Sequence, residues 1–454
     1  MHTRPTLPPY ALPIIFFGLV ILTGTVLLHH SASLAAGSIS WMDALFTATS
    51  ATCVTGLAVV DTGTFFSRFG QNVILGLIQV GGLGIMTFTG LAFYLWRRHV
   101  SFSDRIAVGQ SLLHDPTFHL GKFLIRIVLW TFLIELCGAL LLYIQAPTEF
   151  TPHSALFHAV SAFCNAGFSL YSDSLMGWRG NWGINLVIML LIVLGGIGFS
   201  VLVELQEVSL CRLRKKRPAK RCRRLSWYAR VVLRTSLFLV IAGWLALFAA
   251  EFYGSSRGLT MNESLLAALF QSVTCRTAGF NTMDIGRLTN VSLLIMLMLM
   301  FIGGAPGSCA GGIKVTTFRA LAAFVQSQFK GRKQAVVGRF AVNGEAVNNA
   351  LILLVFATGI VALATLLLTI TEGGDIPHPE TRGMFLELFF EAVSAFGTVG
   401  LSTGITAKLS VAGKAIITAL MFIGRLGPIV FLVAIQSFQK ELFYSWPEEN
   451  MLIG

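Results

Sequence analysis

Charged side chains are scarce in this sequence. Only 12% of its 454 residues are Asp, Glu, Lys or Arg, whereas soluble domains usually carry about 25%. Apolar residues make up 55% of the chain, and the mean hydropathy is +0.75. This composition excludes a water-soluble globular protein and indicates a polytopic membrane protein, for which the bilayer is the solvent.

Several motifs that would indicate other functions are also missing. The seven cysteines form no CxxC pair and no metal-ligand spacing, so neither a disulfide framework nor a transition-metal site is expected. The HExxH, GxSxG and P-loop patterns do not occur, and Asp, Glu and His are rare in the apolar segments. Basic residues lie between apolar runs rather than among aromatic residues, which argues against binding of nucleic acid. An enzyme is therefore not expected, and a polytopic membrane enzyme stays a distant alternative.

Eight apolar stretches are long enough to cross about 30 Å of hydrocarbon. They lie at 10–30, 71–96, 122–144, 184–208, 231–252, 291–324, 350–370 and 414–438. Nine Lys and Arg and no acidic residue fall within 211–224, after the fourth stretch, and this charge predicts a cytoplasmic loop. With an even number of spans, both termini are then expected in the cytoplasm. No AxA-type cleavage site follows the N-terminus, so its apolar stretch is interpreted as a retained first span.

A shorter, half-polar segment lies between the two spans of each pair, and the four segments are alike. Each contains a Phe, a Ser or Thr four residues later, and a Gly nine or ten residues after the Phe. These are Phe46, Phe157, Phe270 and Phe390, then Ser50, Ser161, Thr274 and Ser394, then Gly56, Gly167, Gly279 and Gly400. A second glycine group begins 24 to 28 residues further on, at Gly81, Gly195, Gly303 and Gly424. The sequence therefore contains four parallel copies of one unit.

The predicted fold is an all-α polytopic membrane protein. Four parallel repeats, each a membrane helix, a pore loop and a second membrane helix, surround a central pore, which gives eight spans and four pore half-helices. The expected repeats are 1–98, 99–212, 213–335 and 336–454, with pore loops at 43–57, 154–168, 264–280 and 385–401.

These loops are too short to span the bilayer, and backbone without hydrogen-bond partners survives at membrane depth only where it lines a polar cavity. Four such loops on one axis place carbonyl oxygens where they can replace the hydration shell of a cation, and glycine tolerates the backbone angles that this requires. The partially negative C-terminal ends of the half-helices also favour a cation. Glycines that serve only close helix packing are the alternative interpretation.

Residues 303–312 differ from the rest of the sixth stretch because they contain five Gly and one Pro. Such a composition does not sustain a helix, so a loop inside the bilayer, beneath the pore loops, is predicted; a passive kink is the alternative. Arg425 lies in the last span, where a charge is costly unless it faces protein or water. It is expected to face the pore or to pair with Glu387 or Glu391.

Five segments together resemble the Trk/Ktr/HKT superfamily of potassium transporters, over nearly the whole chain. They are Thr52-Cys-Val-Thr-Gly-Leu57, Cys164-Asn-Ala-Gly-Phe168, Arg276-Thr-Ala-Gly-Phe-Asn-Thr282, Gly397-Thr-Val-Gly-Leu401 and Gly303-Gly-Ala-Pro-Gly-Ser-Cys-Ala-Gly-Gly-Ile-Lys314. Because no extra pair of helices precedes the first repeat, the chain is most similar to the Ktr-type membrane subunit.

The resemblance implies potassium uptake across a bacterial cytoplasmic membrane, without a tightly bound cofactor and with potassium as the substrate. It assigns the selectivity filter to Val54, Thr55, Gly56, Asn165, Ala166, Gly167, Thr277, Ala278, Gly279, Thr398, Val399 and Gly400. It assigns a gate to Gly303, Gly304, Gly307, Gly311 and Gly312. Arg425, from its position in the last span, is expected to be a pore charge. A sodium-preferring or sodium-coupled carrier of the same fold is the alternative.

Partners are also implied by the resemblance: membrane lipid, a second copy of the chain in a homodimer, and a separate cytoplasmic ring of nucleotide-binding domains. The basic loop and Lys330, Arg332 and Lys333 would give that ring a cationic surface on which to dock. The same charges also follow from membrane topology and attract anionic lipid. Three thiols near the filter, Cys53, Cys164 and Cys275, are interpreted as packing residues rather than as ligands of a soft metal.

Overall fold

The computed structural model describes residues 11–84, 120–213, 225–254, 260–374, 377 and 379–427. Its helices are α1 (Ala11–His29), α2 (Trp41–Thr52), α3 (Thr62–Phe65), α4 (Arg68–Gly82), α5 (Leu120–Gln145), α6 (Pro152–Phe163), α7 (Trp182–Gly196), α8 (Phe199–Leu213), α9 (Trp227–Gly254), α10 (Met261–Thr274), α11 (Asn290–Phe301), α12 (Val315–Phe329), α13 (Gly344–Leu368), α14 (Met384–Gly397) and α15 (Val411–Leu426). A short antiparallel pair, β1 (Val336–Val337) and β2 (Phe340–Ala341), lies between α12 and α13.

One unit, a long helix followed by a short helix and a second helix, occurs four times. The units are α1-α2-α4, α5-α6-α7, α9-α10-α11 and α13-α14-α15. The second helix of each unit packs on the short helix of the next: α4 on α6, α7 on α10, α11 on α14, and α15 on α2. The last of these contacts includes an ion pair between Lys414 Nζ and Asp43 Oδ1 at 2.7 Å. The four units therefore close into a ring around one axis, as the internal repeat predicts.

Three of the long helices are apolar and long enough to cross a membrane: Ile125–Gln145, Trp227–Glu251 and Gly344–Gly373. Large apolar side chains cover their outer surfaces; Leu129 is 65% exposed and Val355 is 71% exposed. Exposed apolar bands of this kind are stable only where lipid covers them. The all-α membrane fold predicted from composition is confirmed.

Three of the four short helices begin at polar caps, and all four bury their C-terminal ends; α14 begins after Gly383 without a side-chain cap. Ser40, Thr151 and Thr260 each accept a hydrogen bond from the backbone N–H three residues later, which satisfies a donor that the first turn leaves free. The Phe that marks each short helix in the sequence is fully buried. The Phe rings therefore anchor the short helices in the core, while polar caps hold their outer ends near water.

The second helix of each unit ends at the second glycine group. α4 ends at Gly82, α7 at Gly196 and α15 at Leu426, and the glycine that follows each of them has a φ of +81°, +89° or +84°. With 15 residues, α7 rises only about 22 Å. The fourth predicted span, 184–208, is therefore two helices, α7 and α8, bent by 107°; the sequence indicated such a break in the third repeat alone. Residues 85–96 and 428–438, the expected continuations of two other spans, lie outside the described residues.

Close approach to the short helices explains the second glycine group. A Cβ added to Gly81 would overlap the carbonyl oxygen of Thr52, at the end of the short helix α2. Gly195 and Gly424 have the same relation to the carbonyls of Phe163 and Phe396. In each case the carbonyl belongs to the residue four positions before Gly56, Gly167 or Gly400. A side chain at the second glycine would push the two helices apart.

We expect Gly81→Ala to lower the thermal stability of the purified protein, because its Cβ has no room beside the Thr52 carbonyl. Gly76→Ala is a matched control, since Gly76 lies in the same helix with nothing within 4 Å of an added Cβ. Alanine in an open helical position is more stable than glycine by up to about 1 kcal/mol. Fluorescence-detected size-exclusion after heating would measure both variants, and equal melting temperatures would contradict this explanation of the glycine.

Candidate cation pore

The four loops that follow the short helices share one unusual backbone conformation. The residue two positions before each predicted filter glycine is left-handed: Val54 (φ +56°), Asn165 (φ +60°), Thr277 (φ +71°) and Thr398 (φ +50°). The glycines themselves, Gly56, Gly167, Gly279 and Gly400, have φ values of +94°, +69°, +82° and +87°. Non-glycine residues seldom adopt a positive φ, and β-branched residues least of all. Alternating left-handed residues let successive carbonyls point in one direction, toward the axis.

The four glycines meet at that axis. A Cβ added to Gly56 would lie 3.1 Å from the Cα of Gly167, and one added to Gly167 would lie 2.7 Å from the Cα of Gly279. A Cβ on Gly400 would lie 3.0 Å from the Cα of Gly56, and one on Gly279 would lie 2.7 Å from the carbonyl oxygen of Val399. The loops thus form a closed ring of backbone in which no side chain fits, and the twelve residues of the predicted filter lie in or next to it.

Hydroxyl groups of the short helices tie the loops in place. The Ser50 and Ser394 hydroxyls each accept a hydrogen bond from the N–H of a filter glycine, Gly56 or Gly400, at 3.1 Å. In the other two repeats the hydroxyl donates to the carbonyl just after the glycine: Ser161 to Phe168 at 2.8 Å, and Thr274 to Phe280 at 2.6 Å. The Ser or Thr four residues after each Phe, noted in the sequence as a repeat marker, therefore connects a short helix to its loop.

Three threonine hydroxyls in the ring remain without a protein partner among the described residues. They belong to Thr55, Thr277 and Thr398, and all three side chains are fully buried. A buried hydroxyl without a partner is costly, so such groups are retained where water or an ion can satisfy them. This is the polar lining expected of an ion path.

A cavity of about 390 Å³ opens on one side of the ring, and all four filter glycines form its floor. Its walls come from the segments after the glycines and include Asp61, Ser169, Tyr171 and Ser402. These residues follow the four glycines in sequence, so the cavity, here called the vestibule, lies on the side of the ring where the loops leave it.

The loop 303–312 lies on the opposite side of the ring, because it contacts residues that precede the glycines. A Cβ added to Gly311 would overlap the Thr398 hydroxyl, and one on Gly303 would lie 3.5 Å from Thr277 Cγ2. The two ends of the loop are joined by a hydrogen bond from Gly303 N–H to the Ile313 carbonyl at 2.8 Å. The non-helical segment predicted within the bilayer is therefore present, directly beneath the filter.

The loop is bonded to each of the other three repeats. The Cys309 thiol donates to the Gly82 carbonyl of repeat one at 3.0 Å, and the Ala305 N–H donates to the Gly196 carbonyl of repeat two at 2.9 Å. In repeat four, Arg425 donates to the Cys309 carbonyl. The backbone carbonyls freed where the second helices end, at Gly82 and Gly196, are thus satisfied by the loop.

Arg425 is buried and points at backbone rather than at an acidic residue. Its guanidinium also donates to the Gly81 carbonyl, so it joins repeat one and the loop to repeat four. Glu391, one of the two acidic partners considered from the sequence, instead accepts a hydrogen bond from the Thr406 hydroxyl. Lys314 Nζ donates to the Ala310 carbonyl at 2.7 Å, next to the carbonyl that Arg425 binds. The sequence gives no signal of this contact.

The thiols of Cys53, Cys164 and Cys275 are buried at the C-terminal ends of three short helices. Within the described residues, no group of three or more His, Cys, Asp and Glu side chains is arranged to hold a metal ion. Glu135, which stands alone in the sequence, accepts a hydrogen bond from Gln79 of the neighbouring repeat at 3.2 Å. That contact joins two repeats, and neither residue could have been paired from sequence.

The basic loop after the fourth span, apart from its first residues, lies in 214–224, outside the described residues, and so do Arg97 and Arg98. Lys330, Arg332 and Lys333 are described and exposed, in the turn that follows α12.

A family model described as TrkH, a cation transport protein, matches residues 11–443. The chain belongs to the TrkH family of cation transport proteins. The resemblance drawn from the five filter and loop segments is thereby confirmed.

Relatives of this TrkH-family chain match it over nearly its whole length. It is 42% identical over 432 residues to the Ktr system potassium uptake protein B of Bacillus subtilis, covering 94% of this chain and 92% of that protein. It is 35% identical over 447 residues to the potassium/sodium uptake protein NtpJ of Enterococcus hirae, covering 97% and 95%. The crystal structure of the potassium transporter TrkH from Vibrio parahaemolyticus superimposes with a TM-score of 0.71 at 20% identity, covering 96% of this chain and 86% of that one. That match confirms the fold.

Proposed function

We propose that this chain takes up potassium across the cytoplasmic membrane through the ring of filter carbonyls. The observation that carries the proposal is the closed backbone ring at Gly56, Gly167, Gly279 and Gly400. In all four repeats the residue two positions before the glycine is also left-handed. Relatives named as potassium uptake proteins over more than nine-tenths of the chain support potassium as the substrate.

The twelve filter residues act through their backbone rather than through charged side chains. Carbonyl oxygens before each glycine replace the hydration shell of the ion, as in other potassium filters. The Thr55, Thr277 and Thr398 hydroxyls, which lack partners among the described residues, add oxygen ligands or hold water at the inner side. Hard oxygen ligands suit an alkali cation and disfavour a soft transition metal. Transport by this ring, rather than catalysis, is the activity that we assign.

A Gly56→Ser variant tests the filter. The serine Cβ would meet Gly167 and its hydroxyl would enter the ring, so we expect the preference for potassium over sodium to fall several-fold. Gly37→Ser is the matched control, because Gly37 has a similar positive φ of +81° but nothing within 4 Å of an added Cβ. Uptake of both ions would be measured in cells that lack their own potassium transporters.

If the wild-type chain did not restore potassium uptake in those cells, the proposed function would be wrong. If Gly56→Ser left the preference for potassium over sodium unchanged, as expected of the Gly37→Ser control, Gly56 would not belong to the filter. Repeating the assay with and without sodium separates potassium uptake from a sodium-coupled carrier. The name of the Enterococcus hirae relative, a potassium/sodium uptake protein, favours that carrier as the second candidate.

We propose that the loop 303–312, with its five glycines, is the gate of this pore. It lies against Thr277 and Thr398 and is held by contacts to all three other repeats, so ions pass only when these contacts break. Arg425 holds the loop through the Cys309 carbonyl and places a positive charge beneath the filter. Gly303, Gly304, Gly307, Gly311 and Gly312 give the segment the conformational freedom that such a movement needs.

Deleting Ala305–Gly311 should raise the potassium flux, because the obstruction and its bonds to the neighbouring repeats are removed. Flux into proteoliposomes would be compared with that of the intact chain at equal amounts of monodisperse protein. Introducing Gly56→Ser into the deleted chain is the control: a lower ion preference shows that the added flux passes the same filter. Unchanged or lower flux through a correctly inserted protein would contradict the gate.

We further propose the assembly that the resemblance implies: a homodimer in a bacterial cytoplasmic membrane, with both termini in the cytoplasm and a separate nucleotide-binding ring beneath. The relatives are named as parts of a Ktr system, which supports a partner subunit. The exposed Lys330, Arg332 and Lys333 at the end of α12 support a cationic docking surface, and α12 begins directly after the gate loop.

A further inference from the structure

One position in the short helices repeats in all four units without being identical in any two. Directly after each buried Phe stands a polar side chain that is no more than 2% exposed: Thr47, His158, Gln271 and Glu391. These side chains lie behind the filter, inside the protein. Burial of a polar group is costly without partners, so the contacts of each side chain indicate its role; the Thr47 hydroxyl donates to the Asp43 carbonyl of its own helix at 2.8 Å.

Among these four residues, His158 makes direct hydrogen bonds to the segment that follows its filter glycine. Its Nδ1 lies 2.7 Å from the Ser154 carbonyl, and its Nε2 lies 3.0 Å from the Ser169 hydroxyl and accepts from the Leu170 N–H at 3.4 Å. A carbonyl requires a donor and an N–H requires an acceptor, so the proton is on Nδ1 and the imidazole is neutral. Both ring nitrogens are thereby bonded.

The two partners of Nε2 belong to the outer end of the filter. Ser169 and Leu170 come two and three residues after Gly167, and Ser169 lines the vestibule. The ring of Tyr171, which also lines the vestibule, stacks on His158 with centroids 4.9 Å apart. His158 therefore links the short helix to the segment that follows Gly167, next to the bond from the Ser161 hydroxyl to the Phe168 carbonyl.

The repeat diagonally across the pore uses the same connection with different residues. Glu391 accepts from the Thr406 hydroxyl, and that hydroxyl lies 2.9 Å from the Ser402 hydroxyl. Ser402 comes two residues after Gly400, as Ser169 comes two residues after Gly167. In repeat three, by contrast, the Gln271 amide has no partner among the described residues. Two opposite repeats are therefore braced behind the filter.

We propose that His158 is a positioning residue for ion selectivity. Its neutral imidazole holds Ser169 and Leu170, at the outer end of the filter in repeat two, so that the carbonyls near Gly167 keep a fixed distance from the axis. This inference rests on the proposed potassium function. A filter whose carbonyl oxygens can move away from the axis loses its preference among cations of different size. The hydrogen bonds accepted by Nε2, rather than the bulk of the ring, carry this effect.

Two substitutions separate these contributions. His158→Gln retains a side-chain acceptor at about the distance of Nε2. His158→Asn is too short to reach Ser169 and Leu170. We expect the potassium-to-sodium preference to fall by about fivefold in the asparagine variant, the effect of losing about one hydrogen bond, and to stay within about twofold of wild type in the glutamine variant.

His153→Asn is the matched control, since His153 lies on the same helix but binds Asn72 at the exposed outer end. Ser169→Ala removes the hydroxyl partner of His158 Nε2 and should also lower the preference for potassium over sodium. The double variant with His158→Asn should show no further loss. Ser169→Ala also tests the inference if a substitution at His158 impairs membrane insertion. The readout is the ratio of KM for potassium and sodium uptake, measured beside Gly56→Ser.

Equal ion preference in the asparagine and glutamine variants, or an unchanged preference in Ser169→Ala, would overturn the inference and leave His158 a packing residue. The proposed function would still stand in that case, because the wild type and Gly56→Ser report on it independently. A wild-type chain without potassium preference would overturn the function itself.

Discussion

The pore depends on one constraint: four backbone segments, one from each repeat, must approach a common axis more closely than any side chain permits. A Cβ added to Gly56, Gly167, Gly279 or Gly400 would lie only 2.7 to 3.1 Å from a glycine Cα of a neighbouring repeat. The same glycines take a left-handed φ, which turns their neighbours' carbonyls toward the axis. Carbonyl dipoles in place of water are what a cation filter requires. The remainder of each repeat holds these four short segments in position.

Three kinds of contact provide that support. Short helices end at the ring and aim their partially negative C-terminal ends at it, and a Ser or Thr hydroxyl ties each helix to its loop. Second helices pack against the short-helix ends through glycines such as Gly81 and Gly195. Because these helices stop at the same glycines, they leave free carbonyls below the filter, and the loop of repeat three binds two of them. Filter, helix ends and loop are therefore one connected structure, so a movement of the loop affects groups directly attached to the filter.

Sequence reasoning was most successful where a local rule repeats four times. The spacing from Phe to Ser or Thr to Gly predicted the unit, its number and the four glycines that meet at the axis, since each residue type has one local task. The left-handed Val54, Thr277 and Thr398 were missed, because β-branched residues avoid that conformation and only the surrounding fold imposes it. The bend between α7 and α8 was missed because residues 184–208 are long and apolar enough to be interpreted as one span. Contacts between distant parts of the chain, such as Arg425 to Cys309, have no local signal at all.

Locating the ion would test the central claim most directly. Crystals of the protein in a rubidium or thallous salt would show an electron-dense substitute for potassium by anomalous scattering. The account predicts a peak on the axis, among the carbonyls of Thr55, Ala166, Ala278 and Val399, and its weakening or loss in Gly56→Ser. A peak elsewhere, with this ring unoccupied in the wild-type protein under the same salt, would contradict the assignment of the filter.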